Sequence, residues 1–334
     1  MSRLKWLAVP ALALLFCGLA FGAYRLFAGS PDRRIVVVYV STDQEIAEPI
    51  LQAFGIRTGI RVEAVYDSEA TKTAGLGLRL LAERGRPRAD VFWASEPTRL
   101  LRLGREGVLA DYRPPEAEGL PDWARGQYWT AFSSRTRVIL VNTDLVPEGR
   151  RPRRLEDLLD PAWKGRICIG DPRFGTTSTH AAALGDGGIA FARRLRENGV
   201  RLCAGNAMVR EMVERGELAM GLTDSDDAWA ALDRGLPVAM VVPEPALLIP
   251  NAAALIAGAP HPEEGRLLLD FLVSAEVEGR LALKPMRQLP LRASVPVPEG
   301  VGRLADLRIL PVDWENLGGK VEGAASAFYE AVRP

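Results

Sequence analysis

Polar residues follow each of three strand-like segments near the start of the chain, and this pattern constrains the fold more than any other feature. The segments lie at residues 35–39, 62–66 and 91–93, with helical patterns between them. The first is a continuous apolar run, which is typical of a strand covered on both faces. Alternating strands and helices predict an α/β fold with a mostly parallel sheet. Because ligands bind beyond the carboxyl ends of strands in such open sheets, the polar residues there are candidate ligand contacts.

The rest of the chain predicts a second α/β unit. A chain of 334 residues is long enough for about two domains. An extended run at 128–142 has the length to carry the chain from one lobe to another. Further strands are predicted at 200–203, 219–223 and 236–243, each beside a helical pattern. The segment from residue 155 is predicted to be a helix with a proline-marked break after it, and the last segment, 314–332, is predicted to be helical.

The N-terminal segment has the features of an export signal. Arg3 and Lys5 precede an apolar stretch at 6–21, and small residues stand where a signal peptidase reads the chain. Residues 1–22 are therefore predicted to be a signal peptide that is cleaved after Gly22. The apolar stretch is also close to the minimum for a membrane span, so an uncleaved N-terminal anchor is the alternative. Both interpretations place the body of the protein in the periplasm.

Composition and motifs argue against several classes of protein. The formal net charge is zero, so the chain lacks the basic surface typical of nucleic-acid binding. No GxSxG, HExxH, GxxxxGK[ST] or EF-hand pattern occurs, and no nucleophile–base pair stands out. With two histidines in the whole chain, a histidine-rich zinc site is excluded. We therefore expect a binding protein without a cofactor, not an enzyme.

Two cysteines remain after the predicted cleavage. Cys168 and Cys203 lie in strand-like segments that one helical segment separates, which is the spacing of neighbouring strands in a βαβ unit. In an oxidising compartment the two residues can form a disulfide. Two buried free thiols are the alternative, and the sequence leaves both open.

Acidic residues are the first group of candidate ligand contacts. They stand at predicted strand ends or at the start of the following helices: Asp43, Glu69, Glu96, Asp224, Asp226 and Asp227. Carboxylate oxygens suit hard metal cations and ammonium groups. The same residues also serve as helix caps, which is the alternative for each one alone. Three acids within residues 224–227 exceed the needs of one cap. The predicted metal ligands are Asp43, Glu96, Asp226 and Asp227.

Hydroxyl residues form the second group of candidates. Thr176, Thr177 and Ser178 precede a predicted helix, whose N-terminal N–H groups attract anions. An ordinary Ser/Thr helix cap is the alternative. Three further residues complete the predicted ligand-binding set: Thr42, Ser225 and the strand-end Tyr66. Acids facing an anion site predict either a metal with a synergistic anion or a small zwitterion such as an aminophosphonate.

Four segments together resemble a known family. They are Tyr39 to Asp43, Ala89 to Trp93 with Glu96, residues 155–165, and residues 221–227. In order and spacing they are similar to those of periplasmic ferric-ion-binding proteins, which are type II solute-binding proteins of ABC importers. The resemblance covers nearly all of the predicted mature chain.

The resemblance implies a fold and a function. The fold is a two-lobed α/β type II periplasmic-binding-protein fold with mixed sheets, flanking helices and a ligand cleft between the lobes. Lobe one would comprise 34–130 plus 246–290, and lobe two 131–245 plus 291–334. The implied function is that of a monomer that captures a small solute, closes around it and delivers it to an ABC permease in the inner membrane. Ferric iron with a synergistic anion is the implied cargo.

The chain departs from the family pattern in the ligand residues. Relatives typically supply two adjacent tyrosines after the strand predicted at 219–223, where this chain has Asp224 to Asp227. Several relatives carry a histidine where this chain has Asp43. A small zwitterion or phosphonate is therefore the alternative cargo. A membrane-anchored sensory domain and a hydrolase that uses the acids are the alternative functions.

Overall fold

The computed structural model describes residues 34–67, 75–298 and 302–334. The predicted signal peptide at 1–22 and the predicted ligand residue Glu69 lie outside the described residues. None of the helices in these ranges combines the length and the apolar character needed to cross a bilayer.

The first part of the described chain alternates strands with helices: β1 Ile35–Val40, α1 Gln44–Thr58, β2 Arg61–Tyr66, α2 Gly75–Ala82, β3 Val91–Ala94 and α3 Pro97–Arg105. β1 lies between β2 and β3 and runs parallel to both. Most of β1 is buried, in keeping with its continuous apolar sequence. The three predicted strands are confirmed, and each is one residue longer than predicted.

The second part repeats the alternation: β4 Thr130–Asn142, β5 Ile167–Gly170, α4 Gly175–Ala183, α5 Gly185–Glu197, β6 Arg201–Cys203, α6 Asn206–Glu214, β7 Met220–Asp224, α7 Ser225–Leu232 and β8 Val238–Val241. β5 lies between β6 and β7 and is parallel to both. The helix that contains the predicted anion site begins at Gly175, so its hydroxyl residues form the first turn and do not precede the helix. Gly175 makes this early start possible because its φ is +55°.

One long strand joins the two parts. β4 is buried along its whole length, as is β9, Leu248–Leu255. The first half of β4 pairs antiparallel with β9, and β9 also pairs with β3. The second half of β4 pairs antiparallel with β7 and β8. The extended run is thus confirmed as the strand that carries the chain between two sets of strands.

The remaining helices cover both sets of strands: α8 Pro262–Leu272, α9 Ala275–Ala282, α10 Trp314–Leu317 and α11 Val321–Val332. α8 packs on β1 and β9, α10 on α3, and α11 on α4 and α5. The single helix predicted at 314–332 is divided, because Gly318 and Gly319 separate α10 from α11. The helix predicted after residue 155 is a short 3-10 turn, Leu155–Leu159. The lobe boundaries given above stay a prediction.

The two cysteines lie on neighbouring strands, as predicted. Gly170 of β5 is the register partner of Cys203 on β6, and Cys168 lies two residues before Gly170. Both side chains are buried free thiols. A hydrogen bond between the two thiols and burial raise the pKa of Cys168, and the same hydrogen bond lowers the pKa of Cys203. The structure therefore presents the free-thiol alternative.

Candidate functional site

Two arginines in the buried strand β4 define the candidate site. Arg135 and Arg137 are two residues apart, so their side chains project from the same face of the strand. The Cα partner of Arg137 is Asp224, the last residue of β7. Arg137 Nη1 donates to Asp224 Oδ1 over 2.7 Å, and the Arg137 side chain is 1% exposed. The ion pair is thus buried at the carboxyl end of a strand, where the sequence predicts ligand contacts.

The second oxygen of Asp224 accepts three further hydrogen bonds. Its donors are Arg135 Nε at 3.2 Å, the Thr176 hydroxyl at 2.6 Å and the Asn206 amide nitrogen at 3.0 Å. Burial raises the pKa of Asp224, but the charges of Arg137 and Arg135 outweigh burial and hold the pKa below its usual value. Asp224 is therefore the ionised counter-ion of the two arginines.

Asp226 and Asp227 follow in the first turn of α7 and are less enclosed. Their side chains are 23% and 19% exposed. One oxygen from each of Asp224, Asp226 and Asp227 lies within 4.8 Å of the others, and we call these three residues the acidic cluster. A positive charge placed among them would relieve the repulsion between the carboxylates.

The pKa values within the acidic cluster reflect this crowding. Burial and the charges of Asp226 and Asp224 raise the pKa of Asp227 to about 7. The Thr223 hydroxyl donates to Asp227 Oδ2 over 3.0 Å and offsets part of this shift. Burial also raises the pKa of Asp226, against the opposing charge of Arg135. A bound cation would favour the ionised form of both residues, so we expect cation binding to release a proton from Asp227 near neutral pH.

Arg135 connects the acidic cluster to the first set of strands. Arg135 Nη2 donates to the carbonyl of Ser95, just after β3, over 2.8 Å, and Nη1 donates to Asn251 of β9 over 3.3 Å. Nη1 also lies 3.6 Å from Asp226 Oδ2. Burial lowers the pKa of Arg135, but Asp226 and Asp224 outweigh burial and raise it. The guanidinium thus lies where the two sets of strands meet.

Two predicted residues after β1 lie near this junction. Thr42 is 7% exposed, and its hydroxyl has no hydrogen-bond partner in the described part of the chain. Asp43 precedes α1 but makes no side-chain capping bond to it. The charge of Asp43 acts on both Arg135 and Asp226. The structure therefore brings Asp43 into electrostatic reach of the acidic cluster, although the two are far apart in sequence.

Glu96 has the features of a helix cap. It is 1% exposed, and its Oε2 accepts from the backbone N–H of Thr98 over 2.6 Å and from the Thr98 hydroxyl. The same oxygen accepts from the hydroxyl of Thr179 in α4 over 3.3 Å. Glu96 thus caps α3 and links it to the second set of strands. Its role as a metal ligand stays a prediction.

The predicted hydroxyl residues are buried and mostly engaged. Thr176 donates to Asp224, the hydroxyl of Ser178 donates to the carbonyl of Gly175 over 2.7 Å, and Thr177 approaches Asn206 at 3.5 Å. The hydroxyl of Ser225 accepts from the backbone N–H of Thr136 over 3.2 Å, which is a contact between α7 and β4. α4 has no side-chain cap, so its first turn keeps N–H groups that can meet an anion.

His180 and the predicted ligand residue Tyr66 both behave as neutral groups. Burial and the charge of Arg137 lower the pKa of His180, inside α4, to about 3, so the imidazole is neutral. Tyr66 ends β2 and packs against an apolar cluster of the first set of strands. Burial and the charge of Glu48 raise the pKa of Tyr66, which disfavours a phenolate ligand. Ligand contact by Tyr66 stays a prediction.

Sequence reasoning missed three residues of the site. Arg135 and Arg137 carry a readable signal, because two charged residues with a spacing of two stand directly before the apolar run at 138–141 of a long strand. Such charges are rarely buried without a partner, and that partner is Asp224. Asn206 has no comparable signal, since an asparagine at a helix start is common.

Together, the fold and the site define a two-lobed solute-binding protein. A protein-family model described as bacterial extracellular solute-binding protein matches residues 87–316. The chain belongs to this family, and it is the solute-binding component of an ABC transporter rather than an enzyme.

Three relatives illustrate the similarity. The chain is 27% identical over 243 residues to a putative 2-aminoethylphosphonate-binding periplasmic protein of Salmonella typhimurium, and the aligned region covers 69% of each chain. It is 26% identical over 292 residues to the major ferric iron-binding protein of Neisseria gonorrhoeae, covering 82% of this chain and 86% of that one. The structure of iron-bound HitA from Pseudomonas aeruginosa matches with a TM-score of 0.79 at 23% identity, covering 89% and 99%. These similarities confirm the predicted family and the predicted two-lobed fold.

Proposed function

We propose that this protein captures ferric iron together with a synergistic anion between its lobes and delivers it to an ABC permease in the inner membrane. The acidic cluster carries this proposal, since oxygens of three carboxylates lie within 4.8 Å of one another. Ferric iron is a hard cation that prefers oxygen ligands. The relative from Neisseria gonorrhoeae, a ferric iron-binding protein by name, supports the same cargo.

The candidate carboxylate ligands divide into those that are partly exposed and those that other protein groups already bind. Asp224 is held by the two arginines, which leaves Asp226 and Asp227 as the partly exposed members of the cluster. With Asp43 they supply three negative charges, which balance the charge of a ferric ion. Glu96 would join them only by giving up part of its capping role. The first turn of α4, with Thr176 to Ser178, would hold the anion.

A small aminophosphonate is the second candidate. Arg135 and Arg137 place positive charge beside the acids, and a zwitterion has a partner for each sign of charge. The relative named for 2-aminoethylphosphonate supports this ligand class. In this candidate the ammonium group would meet Asp226 and Asp227. The phosphonate would meet the start of α4 and the unpartnered hydroxyl of Thr42.

Native mass spectrometry of the protein purified from periplasm without a chelator tests the proposal. An added mass of one iron that a chelator removes supports ferric iron, and an organic mass supports the zwitterion. Asp226→Asn is expected to lose most of the added mass, whereas Asp186→Asn, an exposed acid in the first turn of α5, is expected to retain it. Retention of full cargo by Asp226→Asn would contradict the proposed site.

The same spectrum reports on export. We propose that residues 1–22 are removed, so that the mature periplasmic chain begins at Ala23. A protein mass that corresponds to this start is expected. A mass that includes the N-terminal segment, together with recovery in the membrane fraction, would favour the anchored sensory domain.

A further inference from the structure

Arg135 is held firmly by three groups and loosely by a fourth. Its hydrogen bonds to the Ser95 carbonyl, Asp224 and Asn251 measure 2.8, 3.2 and 3.3 Å. Its approach to Asp226, at 3.6 Å, is longer than a hydrogen bond and rests on charge alone. The guanidinium therefore has one partner that it can give up without becoming an unpaired buried charge.

Among the described residues, two further arginines near the acidic cluster are placed differently. Arg137 pairs with Asp224 and also donates to Thr176 and Asn206, so its hydrogen bonds go to buried or half-buried partners other than the two partly exposed acids. Arg210 lies 3.9 Å from Asp227 and is shared with Glu214 of its own helix. Arg135 is thus the arginine that combines deep burial with contact to two members of the cluster.

A guanidinium at this place opposes an incoming cation. Arginine stays protonated at any physiological pH, so the opposing charge cannot be lost by titration. A cation bound by Asp226 would lie within a few ångströms of the guanidinium, in surroundings that screen charge less than water does. The same repulsion acts on a metal ion and on an ammonium group.

We infer that Arg135 is a built-in cation of the acidic cluster and competes with the positive part of the solute for Asp226. The inference builds on the proposed function, because it concerns the same site. On binding, the solute takes over Asp226 while Arg135 keeps its bonds to Asp224, Asn251 and Ser95. The resident charge lowers the affinity for stray cations, so the cluster does not fill with whichever cation is abundant.

Terbium(III), a hard trivalent cation, is a suitable probe because its luminescence reports binding directly. The full mature chain would be titrated as wild type, Arg135→Met and Arg210→Met. Arg135→Met is expected to bind terbium at least about tenfold more tightly than wild type. Arg210→Met removes the same charge from the rim of the cluster and is expected to change the affinity by about threefold or less.

The possible results separate the inference from its alternatives. Tighter binding by Arg135→Met supports it, including the case in which wild type shows no binding at all. Unchanged, weaker or absent terbium binding by Arg135→Met overturns the inference. An arginine that competes with cations in the wild type must leave a tighter site when it is removed, whereas an arginine with only a structural role would not. If Arg135→Met does not fold, Arg135→Gln serves instead, since glutamine is neutral but can still donate hydrogen bonds.

The outcome does not depend on the natural cargo. If the purified protein carries no iron and no organic mass, the proposed function fails, yet terbium still measures the competition. If the protein carries iron and Arg135→Met binds terbium more weakly, only the inference fails. The two claims are therefore tested independently.

Discussion

The polar ends of β3 and β7 look alike in sequence but differ in structure. Each strand is followed by acids at the start of a helix: Glu96 before α3, and Asp226 and Asp227 in α7. Glu96 is buried and takes hydrogen bonds from Thr98 and Thr179. Asp226 and Asp227 are partly exposed and lie close to other carboxylates. The supply of nearby donors therefore separates a capping acid from an acid that is available to a ligand.

The largest effect on stability is expected at Asp224, the shared partner of the two buried arginines. Asp224→Asn would leave Arg135 and Arg137 buried without their counter-ion, at a cost of about 3–5 kcal/mol in the free energy of unfolding. Urea denaturation measures this loss, with Asp186→Asn as the control for loss of one acid. A loss below about 1 kcal/mol would show that the arginines find other partners.

A smaller loss of stability is expected when the Glu96 cap of α3 is removed. Glu96→Ala removes the acceptor for Thr98 and Thr179 and is expected to lower the free energy of unfolding by about 1–2 kcal/mol. Glu96→Gln retains an acceptor oxygen and should lose less. The same urea titrations apply. If Glu96→Ala were neutral in stability but lost cargo, Glu96 would belong with the ligand acids and the contrast with Asp226 would disappear.

A third effect on stability, similar in size to that of the cap, is expected at Asp227 and depends on pH. Its pKa of about 7 in the folded state lies above the usual value. Between pH ~4 and 7 the folded state therefore holds a proton that the unfolded state has released. The stability that Asp227 contributes is fully present below pH ~4 and is lost as pH rises through 7. Relative to wild type, Asp227→Asn should therefore gain stability between pH 4 and 8, on the order of 1–3 kcal/mol. Thermal unfolding across this range measures the gain, and a pH-independent difference would contradict the raised pKa.

The strands and most helices could be predicted from the sequence because their signals are local. Continuous apolar runs and regular spacing predicted β1 to β3 and the long strand β4. The errors also have local causes. Gly175 starts its helix earlier than the hydroxyl pattern indicated, because a glycine adopts positive φ without strain. The segment after residue 155 stays a 3-10 turn, with Pro161 close behind it.

The site was predictable only in part. The acids at strand ends could be named from the sequence, since the fold class places strand ends together. Their separate roles could not, because the partners come from distant segments: Thr179 for Glu96, and Arg137 for Asp224. The charge of Asp43 also reaches Asp226 only in the folded chain.

By itself the sequence determined the α/β class, the order of the strands and helices, and the family, because all three follow from local apolar patterns and short motifs. The tertiary structure decided which carboxylates are neutralised and which stay open. That depends on Coulomb interactions over a few ångströms between β4, β7 and the helices that follow the strands, and such distances exist only once the sheet is assembled.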